Sequence, residues 1–207
     1  MVSISYCITV HNEGSIYLEP LFKKLSKYIK PEDEIVVIDD FSDDESTTET
    51  IGKYLSILKV VKRKLEGDFA DHKNFAKEQC TKQYIFFIDA DENPHDNLLN
   101  TLKEILFNNH TVDLFYVPRV NVVPGITPQH IQKWGWIVNE KGYINYPDFQ
   151  SRIIKNIPEI TWQGKVHERL VGHTLHASLP IETEDYCLLH IKELKRQESQ
   201  NAFYETI

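Results

Sequence analysis

Short runs of β-branched and aromatic residues alternate along the chain with stretches of helical apolar spacing. Residues 2–10 alternate and are rich in β-branched side chains, which predicts a first strand. The polar turn His11-Asn12-Glu13-Gly14-Ser15 follows. From Ile16 to Ile29 the apolar positions are Ile16, Leu18, Leu21, Phe22, Leu25, Tyr28 and Ile29, a helical pattern that Pro31 brings to a stop. Residues 34–38 are a short apolar run closed by Asp39-Asp40 and read as a buried parallel strand. The same reading predicts helices over 46–57, 69–80 and 94–108, and strands over 58–61, 84–88 and 114–117.

Strands alternating with helices predict a doubly wound, mostly parallel α/β sheet of Rossmann-like type. Ligands of such sheets bind beyond the carboxyl ends of the strands. Three predicted strands carry polar residues there: Thr9–Glu13, Asp39–Asp44 and Asp89–Glu92. The fold therefore predicts that these three segments share one crevice. After residue 118 the pattern changes. Pro118, Pro124, Pro128, Pro147 and Pro158 interrupt it, and Trp134, Trp136, Tyr143, Tyr146 and Trp162 add aromatics. This predicts loops and short antiparallel strands, then a charged helix over 191–204. With 207 residues, one domain is expected, in two halves, 1–118 and 119–207.

Each acidic tip has a bland reading beside the chemical one. Asp89-Ala90-Asp91 follows the most apolar strand, and two carboxylates there could hold Mg²⁺ or Mn²⁺ against a phosphate. The pair could equally be a helix-capping turn. In Asp39-Asp40-Phe41-Ser42-Asp43-Asp44, Asp44 or Ser46 is a natural cap for the next helix, and capping explains one acid of four. Thr9, His11 and Glu13 could frame a nucleotide or form an ordinary turn. Lys73 could meet a phosphate or be solvated. Glu168 could take a proton from a hydroxyl nucleophile, with Trp162 partly desolvating it, or pair with Arg169. Arg152 could hold an acceptor or phosphate, or pair with Asp148.

The order ITVHNEG, EIVVIDDFSDDES, HKNFAKEQCTKQYIFFIDADE resembles the family 2 glycosyltransferases of the GT-A fold. YVPRVN, WGW, YPDFQSRIIKN, WQGKVHERL and CLLHI extend the likeness to the branch with lipopolysaccharide-core β-1,4-glucosyltransferases. The resemblance implies an inverting hexosyltransferase with a UDP-sugar donor, assisted by Mn²⁺ or Mg²⁺. It implies that 1–118 binds the nucleotide sugar and that 119–207 faces a glycan, glycolipid or protein-linked acceptor. On the matching positions, Thr9, His11, Glu13, Asp39, Asp40, Lys73, Asn74, Asp89 and Ala90 would hold the donor. Asp91 and His190 would hold the metal, Glu168 would be the catalytic base, and Arg152, Trp162 and His167 would meet acceptor or phosphate. Phe41 stands where the family usually has glycine and Lys73 where it has arginine, which leaves donor choice open.

Charge and cysteines narrow the setting. The formal net charge is −8 and no long basic run exists, so nucleic acid is not expected as a partner. Position 171 is valine, so H-E-x-x-H fails at His167-Glu168, and neither G-x-x-x-x-G-K-[ST] nor G-x-S-x-G is present. A sugar-1-phosphate nucleotidyltransferase would need a glycine-rich loop after the first strand, where only Gly14 lies. A non-catalytic sugar-nucleotide-binding module is the other competing reading. Three scattered cysteines, Cys7, Cys80 and Cys187, point to a reducing compartment, and no secretion signal opens the chain, so a cytoplasmic location is expected. Lys192, Lys195 and Arg196 could touch an anionic membrane surface carrying a glycolipid, or form a solvated helix face.

Overall fold

The computed structural model describes residues 2–198. The first half alternates strand and helix: β1 Ile4–Val10, α1 Ser15–Tyr28, β2 Glu34–Asp39, α2 Glu45–Tyr54, β3 Leu58–Lys62, α3 Phe69–Glu78, β4 Tyr84–Asp89, β5 Glu92–Pro94, α4 Asp96–Asn108. The second half contains β6 Leu114–Val122, α5 Pro128–Trp134, β7 Ile144–Lys155, β8 Thr161–Gln163, β9 Arg169–Val171, β10 His176–Ser178 and β11 Leu188–Ile191. Among the described residues the main sheet has nine strands, ordered β3-β2-β1-β4-β7-β6-β11-β5, with β10 pairing β6; β8 and β9 form a separate hairpin. β3, β2, β1 and β4 are mutually parallel.

Side chains alternate between the two faces of this sheet, and both faces are covered. Ile4, Tyr6, Ile8, Ile35, Val37, Tyr84 and Phe86 pack with Leu18, Leu21, Phe22 and Leu25 of α1 and Leu98, Leu102 and Leu106 of α4. Cys7, Val36, Ile38, Ile85 and Phe87 point the other way, onto Ala70 and Ala76 of α3 and onto Trp162 and Leu170 of the hairpin. Each fully buried Leu or Phe contributes roughly 1.5–3 kcal/mol. Two-sided burial explains why residues 84–88 read as one apolar run rather than as an alternation.

The second half departs from the expectation of loops and short strands. β7 is twelve residues long and inserts antiparallel between β4 and β6. β6 runs through Pro118 to Val122 rather than stopping at 117. Pro118 is tolerated because β10 pairs β6 only as far as Tyr116, and β11 starts at Arg119. No ladder bond on that side requires its missing N–H. Residue 191 closes a strand instead of opening a helix; within the predicted 191–204 helix, 194–198 is helical and 199–204 lies outside the described residues.

Candidate active site

The carboxyl ends of β1, β2 and β4 meet at one edge of the sheet. Thr9 is in register with Asp89, and Val10 with Asp39. Asp40 continues the alignment, its N–H donating to the Val10 carbonyl at 2.9 Å. A cleft of about 890 Å³ opens there, lined by Thr9, Glu13, Lys73, Asp89, Ala90, Asp91, His167, Glu168 and His190 among others. Nine of the expected site residues therefore surround one space. Asn12, Phe41, Asn145 and His167 have φ between 49° and 60°. Asn12 and Phe41 sit at the tips of β1 and β2, and Asn145 and His167 line the cleft. Backbone conformations that cost energy for non-glycine residues thus gather around this edge.

Asp89 is fixed from below. Arg152, only 3% exposed, donates to Asp89 and, at 2.6 Å, to Glu92. Glu92 also accepts from Arg119 at 3.0 Å and from the Asp89 N–H at 3.1 Å. Arg119 extends the chain to Asp148. Burial opposes ionisation of Asp89, but the Arg152 guanidinium outweighs it and brings the carboxyl down to about 2. Asp89 is thus an oriented carboxylate at the cleft floor. Arg152 is a buried partner of two acids and does not line the cleft, unlike the acceptor or phosphate contact expected from the sequence.

Asp91 and His190 converge, with Oδ2 and Nε2 3.4 Å apart. Asn121 decides which nitrogen of His190 carries the proton. Its amide nitrogen donates to Asp148 Oδ2 at 2.8 Å, so its oxygen faces His190 Nδ1 at 2.7 Å. Nδ1 then donates, and Nε2 turns a lone pair toward an acceptor-only carboxylate. Two acceptors facing each other require a cation or proton between them. The donor set fits a divalent ion with the supporting hydrogen bond that ligating histidines use. Among the described residues no group of three or more His, Cys, Asp or Glu gathers at one point. A two-residue site suits Mg²⁺ or Mn²⁺, which commonly take their remaining oxygens from phosphate and water. Burial would raise the Asp91 pKa; where a proton rather than a metal ion lies between the two, the hydrogen bond and charge of the doubly protonated His190, with Lys192 and Arg196, hold it well below the ordinary range.

Lys192 and Arg196 both reach acids of the cleft. Lys192 is 4% exposed with its ammonium 3.3 Å from Asp91, and Arg196 reaches Glu13 at 3.3 Å. Of the two readings, a membrane contact or a solvated helix face, neither fits Lys192, which is buried beside Asp91; Arg196 is a third exposed and pairs with Glu13. Their charge faces the cleft.

Glu168 is delivered by the loop between β8 and β9, and α3 holds that loop. Asn74 takes the Trp162 N–H at 2.8 Å and donates to its carbonyl at 2.9 Å. The Phe69 N–H donates to the Lys165 carbonyl at 3.0 Å. Lys73, one residue before Asn74, places its ammonium 2.5 Å from Glu168 Oε1 and 4.6 Å from the centre of the Trp162 ring. Adjacent residues of one helix thus secure the hairpin backbone and the carboxylate it carries. Asn74 and Trp162, expected at donor and acceptor, act as struts behind Lys73 and Glu168; Trp162 is 5% exposed against Phe87.

Asp39 and Asp40 shape the neighbouring tip. Asp39, 2% exposed, accepts the Ser42 N–H at 2.9 Å and closes its own turn, so it is not turned to the cleft. Asp40 accepts the Leu65 N–H at 2.8 Å and lies 3.3 Å from His11 Nδ1. Asp44 caps α2 through the Thr47 N–H. Phe41 adopts φ 49°, the conformation that the family's usual glycine would take at no cost. Of the supporting residues, the sequence names Asp148 as a possible partner of Arg152 and Glu92 as the end of a polar strand tip, and Arg119 and Asn121 do not stand out. The one available signal was charged residues set in the apolar run 114–122 and in YPDFQSRII.

Residues 5–167 match the family described as glycosyl transferase family 2, most of the 207-residue chain. The chain belongs to glycosyl transferase family 2. No curated protein matches it at a significant level. Among solved structures, S. aureus TarS 1-349 aligns over 92% of this chain at 18% identity with a TM-score of 0.64. The same fragment in complex with UDP aligns over 93% at 19% identity, TM-score 0.64, and in complex with UDP-GlcNAc over 93% at 20%, TM-score 0.62. At such identity the likeness is one of fold. The chain spans 60% of the TarS 1-349 fragment and 37% of TarS.

Proposed function

We propose that this family 2 protein transfers a hexose, with inversion, from a UDP-sugar to an acceptor hydroxyl. The observation that carries the reading is that the Asp91–His190 pair and Glu168 open onto one cleft at the tips of three parallel strands. The solved structures of S. aureus TarS with UDP and with UDP-GlcNAc support a uridine nucleotide as donor on the same fold. The order of motifs in the second half of the chain supports placement in the branch with the lipopolysaccharide-core glucosyltransferases.

Thr9, Glu13, His11 and Asp40 offer hydrogen-bonding groups to the nucleoside along the β1 and β2 tips. Asp89, oriented by Arg152, accepts from a ribose or sugar hydroxyl. Asp91 and His190 would hold Mg²⁺ or Mn²⁺, which would neutralise charge building on the diphosphate. Lys73, Lys192 and Arg196 add fixed positive charge to the same space. Glu168 takes the proton of the acceptor hydroxyl as its oxygen attacks the anomeric carbon. The bond from that carbon to the diphosphate oxygen breaks on the opposite face, and UDP leaves with the electron pair. One carboxylate base and direct displacement give inversion; catalysis is then positioning plus charge stabilisation.

Without donor, Lys73 occupies one oxygen of Glu168. An arriving diphosphate competes for the ammonium and leaves the carboxylate to the acceptor. The test is UDP release from UDP-glucose and UDP-GlcNAc with Mn²⁺. Glu168→Gln should lower turnover by about 10²–10⁴-fold while UDP still binds. Turnover equal to the parent protein would remove Glu168 from the mechanism.

A further inference from the structure

The segment from α5 to the start of β7 contributes nothing to the core, yet it carries two of the three tryptophans. None of the side chains of α5 is buried, and neither Trp134 nor Trp136 belongs to either core cluster. The rings are organised all the same. His130 stacks on Trp134 with centroids 5.0 Å apart and 18° between planes, and Trp134 tilts onto Trp136 at 4.6 Å. Gly135, at φ 64°, ends the helix between the two indoles, and the Trp136 N–H returns to the Ile131 carbonyl at 3.0 Å. The next residues are tied to β7: the Ile137 N–H donates to the Asn145 side chain at 2.9 Å, and the Asn145 N–H to the Ile137 carbonyl at 2.7 Å. Trp136 thereby lines the cleft that also holds Glu168. Large aromatic area held in place outside a core is an expense that ligand binding explains.

Polar groups of a particular kind accompany this indole. Asn145 and Asp148, both from β7, line the same cleft. Asp148 Oδ2 is held by Arg119 and Asn121, and Oδ1 receives the Gln150 amide at 2.7 Å. A carboxylate oxygen accepts more than one hydrogen bond, so Oδ1 can take a hydroxyl as well. Arg119 is committed to Glu92 and Asp148 and so does not offer an unneutralised cation to this wall. The surroundings of Trp136 therefore combine one flat apolar face, a fixed carboxylate and an amide. A pyranose ring has complementary chemistry: a face of C–H groups to lie on an aromatic ring, and a rim of hydroxyls to donate to a carboxylate.

We propose that Trp136, with Asp148 and Asn145, forms an acceptor subsite for a pyranose, so that the acceptor is a saccharide. This rests on the glycosyltransferase reading above and names its acceptor class. The test measures UDP release from UDP-glucose and UDP-GlcNAc with Mn²⁺, stimulated by a panel of methyl pyranosides and their disaccharides. Glycerol 3-phosphate and a serine- and threonine-containing peptide serve as non-saccharide comparators. UDP binding is followed in parallel by thermal shift. The expected result is stimulation by a pyranoside, with Trp136→Ala raising its KM at least about tenfold, Trp136→Phe recovering part of the loss, and the UDP shift unchanged. The proposal is overturned if only the phosphate or the peptide stimulates, if no pyranoside does although UDP binds, or if Trp136→Ala leaves the saccharide KM in place. Absence of UDP binding in the parent protein would sink the donor reading, and this subsite with it.

Discussion

Asn121 illustrates how one uncharged side chain can decide the chemistry of its neighbours. Its amide nitrogen is committed to Asp148 and its oxygen to His190 Nδ1, so the imidazole can present only Nε2 to Asp91. Asn121→Ala leaves both proposed ligands, Asp91 and His190, in place and removes only the group that orients one of them. The Mn²⁺ concentration for half-maximal UDP binding should rise about 10- to 100-fold, as for other residues that support a metal-bound histidine. An unchanged metal requirement in that variant would mean that His190 is oriented by something else. Lys73 and Glu168 show the complementary case, two opposite charges held together in a cleft where substrate groups are expected to separate them.

At the scale of elements, the β8–β9 hairpin is the piece that has to be held, since it carries Glu168, the proposed base, on a short loop. Asn74 contributes both hydrogen bonds to the Trp162 backbone. Asn74→Ala would leave a Trp162 N–H and carbonyl unpaired in a part-buried position. The expected cost is about 2–3 kcal/mol in denaturant unfolding, with kcat reduced and UDP affinity retained. An equal loss of UDP affinity would place Asn74 on the donor instead. The βα half was legible in the sequence because each element there repeats its own period: residues 16–29 place Leu18, Leu21, Phe22 and Leu25 on one stripe, and all four are buried. β7 was not legible. After buried Ile144, residues 145–150 alternate exposed and half-buried at the cleft, and deep burial returns at Arg152, Ile153 and Ile154 in succession, so no single period runs through it. Arg152 itself read as an acceptor or phosphate contact, or as a partner of Asp148, because a sequence does not show that Asp89 and Glu92, sixty residues away, will close over it.

For the whole molecule, the network under the cleft couples stability to acidity. Asp89 titrates at about 2 against an ordinary 3.8, burial working against it and Arg152 prevailing. Asp113 also falls to about 2, through the hydrogen bond from Lys155. A carboxyl depressed on folding stabilises the native state above its unfolded pKa, and that contribution disappears as pH falls through the folded one. Stability should therefore hold from neutrality down to about pH 4 and fall between about pH 4 and pH 2. Arg152→Met should cost about 3–5 kcal/mol at neutral pH, because Asp89 and Glu92 lose their buried partner, and should flatten the acid slope. A loss below about 1 kcal/mol with the slope intact would contradict the network's role. The cleft depends on the same network: Arg152 orients Asp89, Arg119 orients Asp148, and Asp148 orients Asn121 and through it His190.

Calorimetric titration with UDP tests the central reading most directly, comparing the parent protein in Mn²⁺, the parent protein in EDTA, and Asp91→Asn in Mn²⁺. The account predicts binding in the first case and a loss of at least about tenfold, 1.4 kcal/mol, in each of the other two. Equal UDP affinity in all three would contradict it, because the strand tips would then hold the nucleotide without the cation that Asp91 and His190 are arranged to share.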